Sequence, residues 1–77
     1  MKDIIVNGLG VSTPDNEASY DYIVMLGLRG KGRHGVLYTV TYAMPRGIDR
    51  RDGSLTPGQS VKIENGMVFN VVYTGNA

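Results

Sequence analysis

The stretch after Asn65-Gly66 constrains the fold most. Met67, Phe69, Val71 and Tyr73 alternate there with Val68, Asn70 and Val72, which is the two-residue period of a β-strand. Both faces of this strand carry valines, so it is predicted to be the most apolar strand of the chain and to lie centrally in a sheet. Asn-Gly, with β-rich runs on either side, is the strongest short-range turn signal present. A central strand needs neighbours on both sides and a layer to cover its inner face.

The rest of the chain supplies candidates for both. Asp3 to Asn7 holds the β-branched run Ile4-Ile5-Val6 and ends at Asn7-Gly8, which predicts a strand and a turn, with Leu9 to Ser12 as a short return strand. Val36 to Ala43 places Tyr38, Val40 and Tyr42 on one face and Leu37, Thr39 and Thr41 on the other. Ser60 to Ile63 reads as a further short strand. Ser19 is a candidate N-cap, with Asp21 where a carboxylate favours the positive end of a helix. Tyr20, Ile23, Val24, Gly27 and Leu28 then fall on one helical face, predicting a helix from near Tyr20 to Arg29 with Gly30 as its left-handed C-cap. Ser12 to Asn16 reads as loop and Met44 to Pro57 as a long polar connection, and Thr56-Pro57-Gly58-Gln59 has the centre of a type II turn. Thr74-Gly75-Asn76-Ala77 reads as a small flexible tail, which divides the chain into a domain over 1–74 and a tail over 75–77.

The order is strand, weak strand, helix, strand, short strand, strand. One helix across a mixed sheet of four or five strands is an α+β plan, and the β-grasp is its commonest form at this size. The 77 residues suffice for one domain with one small core. With no cysteine, a disulfide framework, a thiolate zinc site and a cysteine nucleophile are all excluded, which fits a reducing compartment and a cytoplasmic protein. The N-terminus shows no export signal, and the longest apolar stretch, Tyr22 to Leu28, is about a third of the roughly 20 residues that a membrane span requires. A formal net charge of +1 gives no general attraction to nucleic acid or an anionic membrane.

Ser19-Tyr20-Asp21-Tyr22-Ile23-Val24, Tyr38-Thr39-Val40-Thr41-Tyr42 and Gly53-Ser54-Leu55-Thr56-Pro57-Gly58-Gln59-Ser60-Val61-Lys62-Ile63, with Glu64-Asn65-Gly66-Met67-Val68-Phe69-Asn70-Val71 after them, resemble a family of small bacterial ubiquitin-like proteins related to the repeats of bacterial multi-ubiquitin proteins. The resemblance implies a ubiquitin-like β-grasp fold. It also implies partners: ubiquitin-activating-like and conjugating-like enzymes and a deubiquitinase-like metallopeptidase, in systems some of which are linked to defence against phage. In that chemistry the modifier contributes its C-terminal carboxylate, which the activating enzyme adenylates with ATP and passes to a nucleophile. The chain itself is expected to be no enzyme and to need no cofactor. The tail residues Thr74, Gly75, Asn76 and Ala77 would carry the covalent role, yet one glycine with two residues after it departs from the usual glycine ending. Either a peptidase removes Asn76 and Ala77 to expose Gly75, which is the favoured reading, or the unprocessed terminus is used, or the chain is never conjugated. Lys2, Lys31 and Lys62 are the ordinary acceptors if chains form.

Other motifs weigh less. Gly30-Lys31-Gly32-Arg33-His34-Gly35 matches a dinucleotide fingerprint in letters, but it follows a helix and precedes a strand, the reverse of what that fingerprint needs. Arg29, Lys31, Arg33 and His34 remain a candidate anion-contact loop, against the blander reading of a solvated surface loop. His34 stands alone, so no metal site and no catalytic triad is assembled. Asp49, Asp52 and Glu64 lie among Arg46, Arg50, Arg51 and Lys62 and read as solvated charge. Tyr38, Tyr42, Phe69 and Tyr73 are assigned to the core or its margin, not to stacking on single-stranded nucleic acid. The opposite face, Thr39 and Thr41 with Val68, Asn70 and Val72, is the candidate partner surface, for a conjugated modifier or for a binding module that never forms a covalent bond.

Overall fold

Turn chemistry starts the fold. The computed structural model describes residues 1–29, 36–45 and 52–76. Strand β1 (Lys2–Val6) reverses into β2 (Leu9–Thr13) through Asn7 and Gly8, both left-handed at φ 50° and 81°, the two-residue turn whose twist matches an antiparallel pair. Short strand β3 (Glu17–Ser19) leads directly into helix α1 (Tyr20–Leu28). Strand β4 (Val36–Ala43) then precedes β5 (Gly53–Leu55), β6 (Ser60–Lys62) and β7 (Val68–Asn76).

Five strands form one mixed sheet in the order β2-β1-β7-β4-β5, and β3 and β6 form a second ladder. β7 is central, as its composition predicts, parallel to β1 and antiparallel to β4. With α1 over one face of this sheet, the architecture is an α+β ubiquitin-like β-grasp. Among the described residues, no helix is long and apolar enough to cross a membrane.

The helix starts where its cap is. Ser19 Oγ accepts the Tyr22 N–H at 3.1 Å, and the Tyr20 N–H, which the helix itself leaves unbonded, donates to Gln59 O at 3.0 Å. Tyr20 and Ile23 are buried against the sheet. Gly27 lies over β7, and a Cβ there would stand 2.8 Å from Val71 Cγ2, so only a hydrogen lets the helix approach this closely. The left-handed C-cap is Arg29 at φ 53°, not Gly30 as expected. The Arg29 N–H turns back to Leu26 O at 3.4 Å, which closes the helix one residue early.

Ile23 of the helix packs into a core with Ile4, Val6, Ala18, Val40, Ile63, Met67 and Phe69, the best-buried apolar residues, and Leu55 and Val71 are buried beside them. Each full-sized side chain among them contributes about 1.5–3 kcal/mol by leaving water. Buried Thr13 is satisfied by the Tyr22 hydroxyl at 3.0 Å and the Asp15 N–H at 3.2 Å.

Four further expectations need correction. The segment holding Gly53 to Leu55, read as polar connection, is strand β5, paired Val40↔Leu55 to Tyr42↔Gly53. Glu17–Ser19, read as loop and helix start, is strand β3, paired with β6 from Glu17↔Lys62 to Ser19↔Ser60. Tyr73, assigned to the core or its margin, is 61% exposed: it lies past the last pairs that β1 makes with β7, at Phe69, and β5 with β4, at Val40, and among the described residues the Tyr38 ring meets it edge-on, at 6.4 Å between centroids. The expected flexible tail is, as far as Asn76, the end of β7: Gly75 pairs with Leu37 and Asn76 with Val36. Backbone pairing supplied by β4 holds a segment whose own side chains offer little to pack.

Candidate functional site

Alternation along β4 and β7 builds one face opposite the helix. Cross-strand register sets Thr39 against Val72, Thr41 against Asn70 and Ala43 against Val68, so the five candidate surface residues Thr39, Thr41, Val68, Asn70 and Val72 do come together. Val72 is 60% exposed, Thr39, Thr41 and Asn70 are exposed, and Val68 is half-buried. Two neighbours widen the patch. Leu37 lies on the same face of β4 and is 40% exposed, and Ile5, paired with Val68 across the β1–β7 seam, is 38% exposed. Both positions carried a sequence signal: Leu37 alternates with Thr39 and Thr41, and Ile5 lies between the inward-facing Ile4 and Val6.

Ile5, Leu37, Thr39, Thr41, Val68, Asn70 and Val72 form an uncharged face, mildly apolar with hydroxyl and amide groups at intervals. Such a composition suits a partner that buries apolar side chains within a ring of hydrogen bonds. Gly10, opposite Ile5 on β2, has open space where a Cβ would stand, and its lack of a side chain leaves Ile5 uncovered.

Beside this face, at the end of β7, lies the second candidate group. Between Leu37↔Gly75 and Tyr38↔Tyr73 the register shifts by one residue, a β-bulge at Thr74. Thr74 Oγ1 hydrogen-bonds Thr39 Oγ1 and donates to Val72 O at 3.4 Å. Leu37, Thr39 and Thr74 also line a groove of about 210 Å³ with Leu55, Thr56 and Pro57. Gly75 has ordinary backbone geometry, and a Cβ there would meet nothing within 4 Å.

The basic cluster is only partly placed. Arg29 is exposed at the helix end, and Lys31, Arg33 and His34 lie outside the described residues, as does Ala77 of the expected tail. Among the described residues no group of three His, Cys, Asp or Glu side chains gathers as metal ligands do. Lys2 Nζ donates to Ile63 O at 2.8 Å, whereas Lys62 is exposed on β6 opposite Glu17.

A family model described as multiubiquitin matches residues 3–75, which takes in the helix, Gly75 and all of the sheet but its first and last residues, Lys2 and Asn76. The chain belongs to the multiubiquitin family. No curated protein and no solved structure matches it. For this multiubiquitin-family chain the match ends at Gly75, the residue paired with Leu37 at the end of β7. The features that set its architecture, the Asn7-Gly8 turn, the Ser19 cap and the Gly27 contact, all lie within the matched range.

Proposed function

We propose that the chain is a ubiquitin-like protein modifier: partners recognise the uncharged outer face of the sheet, and the segment at Gly75 is the covalent handle. Gly75 carries this reading. It is a glycine inside a strand, where glycine weakens the fold by roughly 0.5–1 kcal/mol, and neither φ nor crowding calls for it. A tail threaded through a narrow adenylation channel supplies a reason, because such a channel admits backbone without Cβ atoms.

The chemistry belongs to the partners. A metallopeptidase related to deubiquitinases trims Asn76 and Ala77. A ubiquitin-activating-like enzyme then uses the Gly75 carboxylate to attack the α-phosphate of ATP, forming an acyl adenylate and releasing pyrophosphate. A nucleophile of that enzyme displaces AMP, and a conjugating-like enzyme delivers the acyl group to an acceptor amine. The chain contributes a carboxylate, a docking face and no catalytic group.

One observation favours a second reading, a binding module that forms no covalent bond: Gly75 is paired in the sheet and must leave it before any channel can take it. Pyrophosphate exchange separates the two. With the candidate activating enzyme, ATP and magnesium, the form ending at Gly75 is expected to support exchange. No exchange from either that form or the 77-residue chain favours the binding module.

A further inference from the structure

Past the bulge at Thr74, β4 and β7 continue together for two more pairs, Leu37↔Gly75 and Val36↔Asn76. We propose that this extension is a latch: it holds Gly75 in register on Leu37 and opens as a unit at the bulge while the rest of β7 stays paired. The latch stands on the fold alone; its consequence for chemistry rests on the modifier reading.

Among the described residues, strand pairing on either side runs out before the latch is reached. β1 pairs with β7 only to Val6↔Phe69, and the Asn7 side chain carries that seam on to Val71, accepting the Val71 N–H at 2.8 Å and donating to Val71 O at 3.4 Å. β5 pairs with β4 only from Val40 to Tyr42. Beyond those points, among the described residues, β4 and β7 have only each other as strand partners, and a lone two-stranded ribbon is marginal in water. The core ends there as well: Gly27 of the helix packs on Val71, but Tyr73 is largely exposed. The bulge interrupts the ladder at the same place, and Gly75 brings no side chain to anchor the strand end. The Thr39–Thr74 hydroxyl bond and the Tyr38–Tyr73 ring contact hold the near side of the bulge, which makes Thr74 the hinge.

A peptidase that binds its substrate extended, backbone against its own strand, competes for groups of Gly75 that the ladder to Leu37 already uses. Attack on the bond after Gly75 therefore draws on the open population only, and trimming scales with that fraction.

Amide exchange followed by NMR on the 77-residue chain tests the latch. Tyr38 donates its N–H to the Tyr20 hydroxyl at 3.0 Å, away from β7, so by alternation the N–H groups of Leu37 and Thr39 face β7. Leu37 and Gly75 are expected to exchange about tenfold or more slower than an unstructured chain, yet about tenfold or more faster than Thr39, with little dependence on mild denaturant. Leu37 exchanging at the unstructured rate means a free end and overturns the proposal. Leu37 exchanging with Thr39, at the same rate and denaturant dependence, makes the end integral to the sheet and overturns it equally. Leu37→Pro deletes the N–H that faces β7: Gly75 protection is expected to vanish with that of Thr41 and Asn70 unchanged. Retained protection at Gly75, or loss at all three, contradicts a separable latch. These amides report whether or not an activating enzyme accepts the chain, so failure of the modifier reading leaves this test intact.

Discussion

A Cβ added at Gly27 would stand 2.8 Å from Val71 Cγ2, and one added at Gly75 would meet nothing within 4 Å. Substitution should separate the two glycines cleanly. Gly27→Ala overpacks the helix against β7 and is expected to destabilise by about 1–3 kcal/mol in urea unfolding, despite the higher helix propensity of alanine. Gly75→Ala is expected to leave stability unchanged or raise it by up to about 1 kcal/mol, and to abolish adenylate formation if Gly75 is the handle. Asn7 carries a different load, since its side chain occupies both backbone groups of Val71 where β1 has ended. Asn7→Gly keeps the left-handed turn and removes that clamp, so a loss of about 1–2 kcal/mol in the same unfolding experiment isolates its contribution. Tyr20 does likewise at β4, where its hydroxyl takes the Tyr38 N–H at 3.0 Å and donates to Tyr38 O at 3.1 Å. Periodicity marks Tyr20 as a core residue but says nothing of this second use, because the partner is backbone far away along the chain.

Elements are legible in proportion to how much of their cause lies within themselves. Val36–Ala43 has the bounds that its alternation predicts, and α1 begins after the Ser19 cap. Ser19→Ala should therefore cost about 1 kcal/mol of stability, measured by thermal or urea unfolding, through loss of the bond to the Tyr22 N–H. The three-residue strands β3 and β5 are not legible, since so short a run has no period and its strand identity comes from the partner it meets, whereas the equally short β6 lies between the Pro57-Gly58 and Asn65-Gly66 turn signals. Gly53 shows how close that meeting is: a Cβ there would stand 2.6 Å from the Tyr42 hydroxyl. The end of β7 escapes sequence reasoning for a related reason. Thr-Gly-Asn is turn and tail composition, and only the register with Val36 and Leu37 makes it strand. For the candidate surface, period two suffices for Thr39, Thr41, Val68, Asn70 and Val72 and equally marks Ile5 and Leu37, whereas the pairing that joins Ile5 to Val68 belongs to the fold.

At the scale of the whole molecule, the central β7 meets the helix through Val71 and carries Val72 and Asn70 of the candidate partner face and Gly75, the covalent candidate. On the modifier reading, docking face and handle thus share one strand, with the bulge at Thr74 between them. That arrangement lets the body stay folded while the last pairs of the ladder open. Central to the modifier reading is that Gly75, released from Leu37, becomes the acyl group of a covalent intermediate. Intact-mass spectrometry after mixing the Gly75-ending form with the candidate activating enzyme, ATP and magnesium tests this most directly. A thiol-sensitive adduct equal to the two masses less one water is the predicted result, absent without ATP and absent for Gly75→Ala. No adduct from the Gly75-ending form or from the 77-residue chain, with both folded, would contradict the claim and leave a ubiquitin-like binding module.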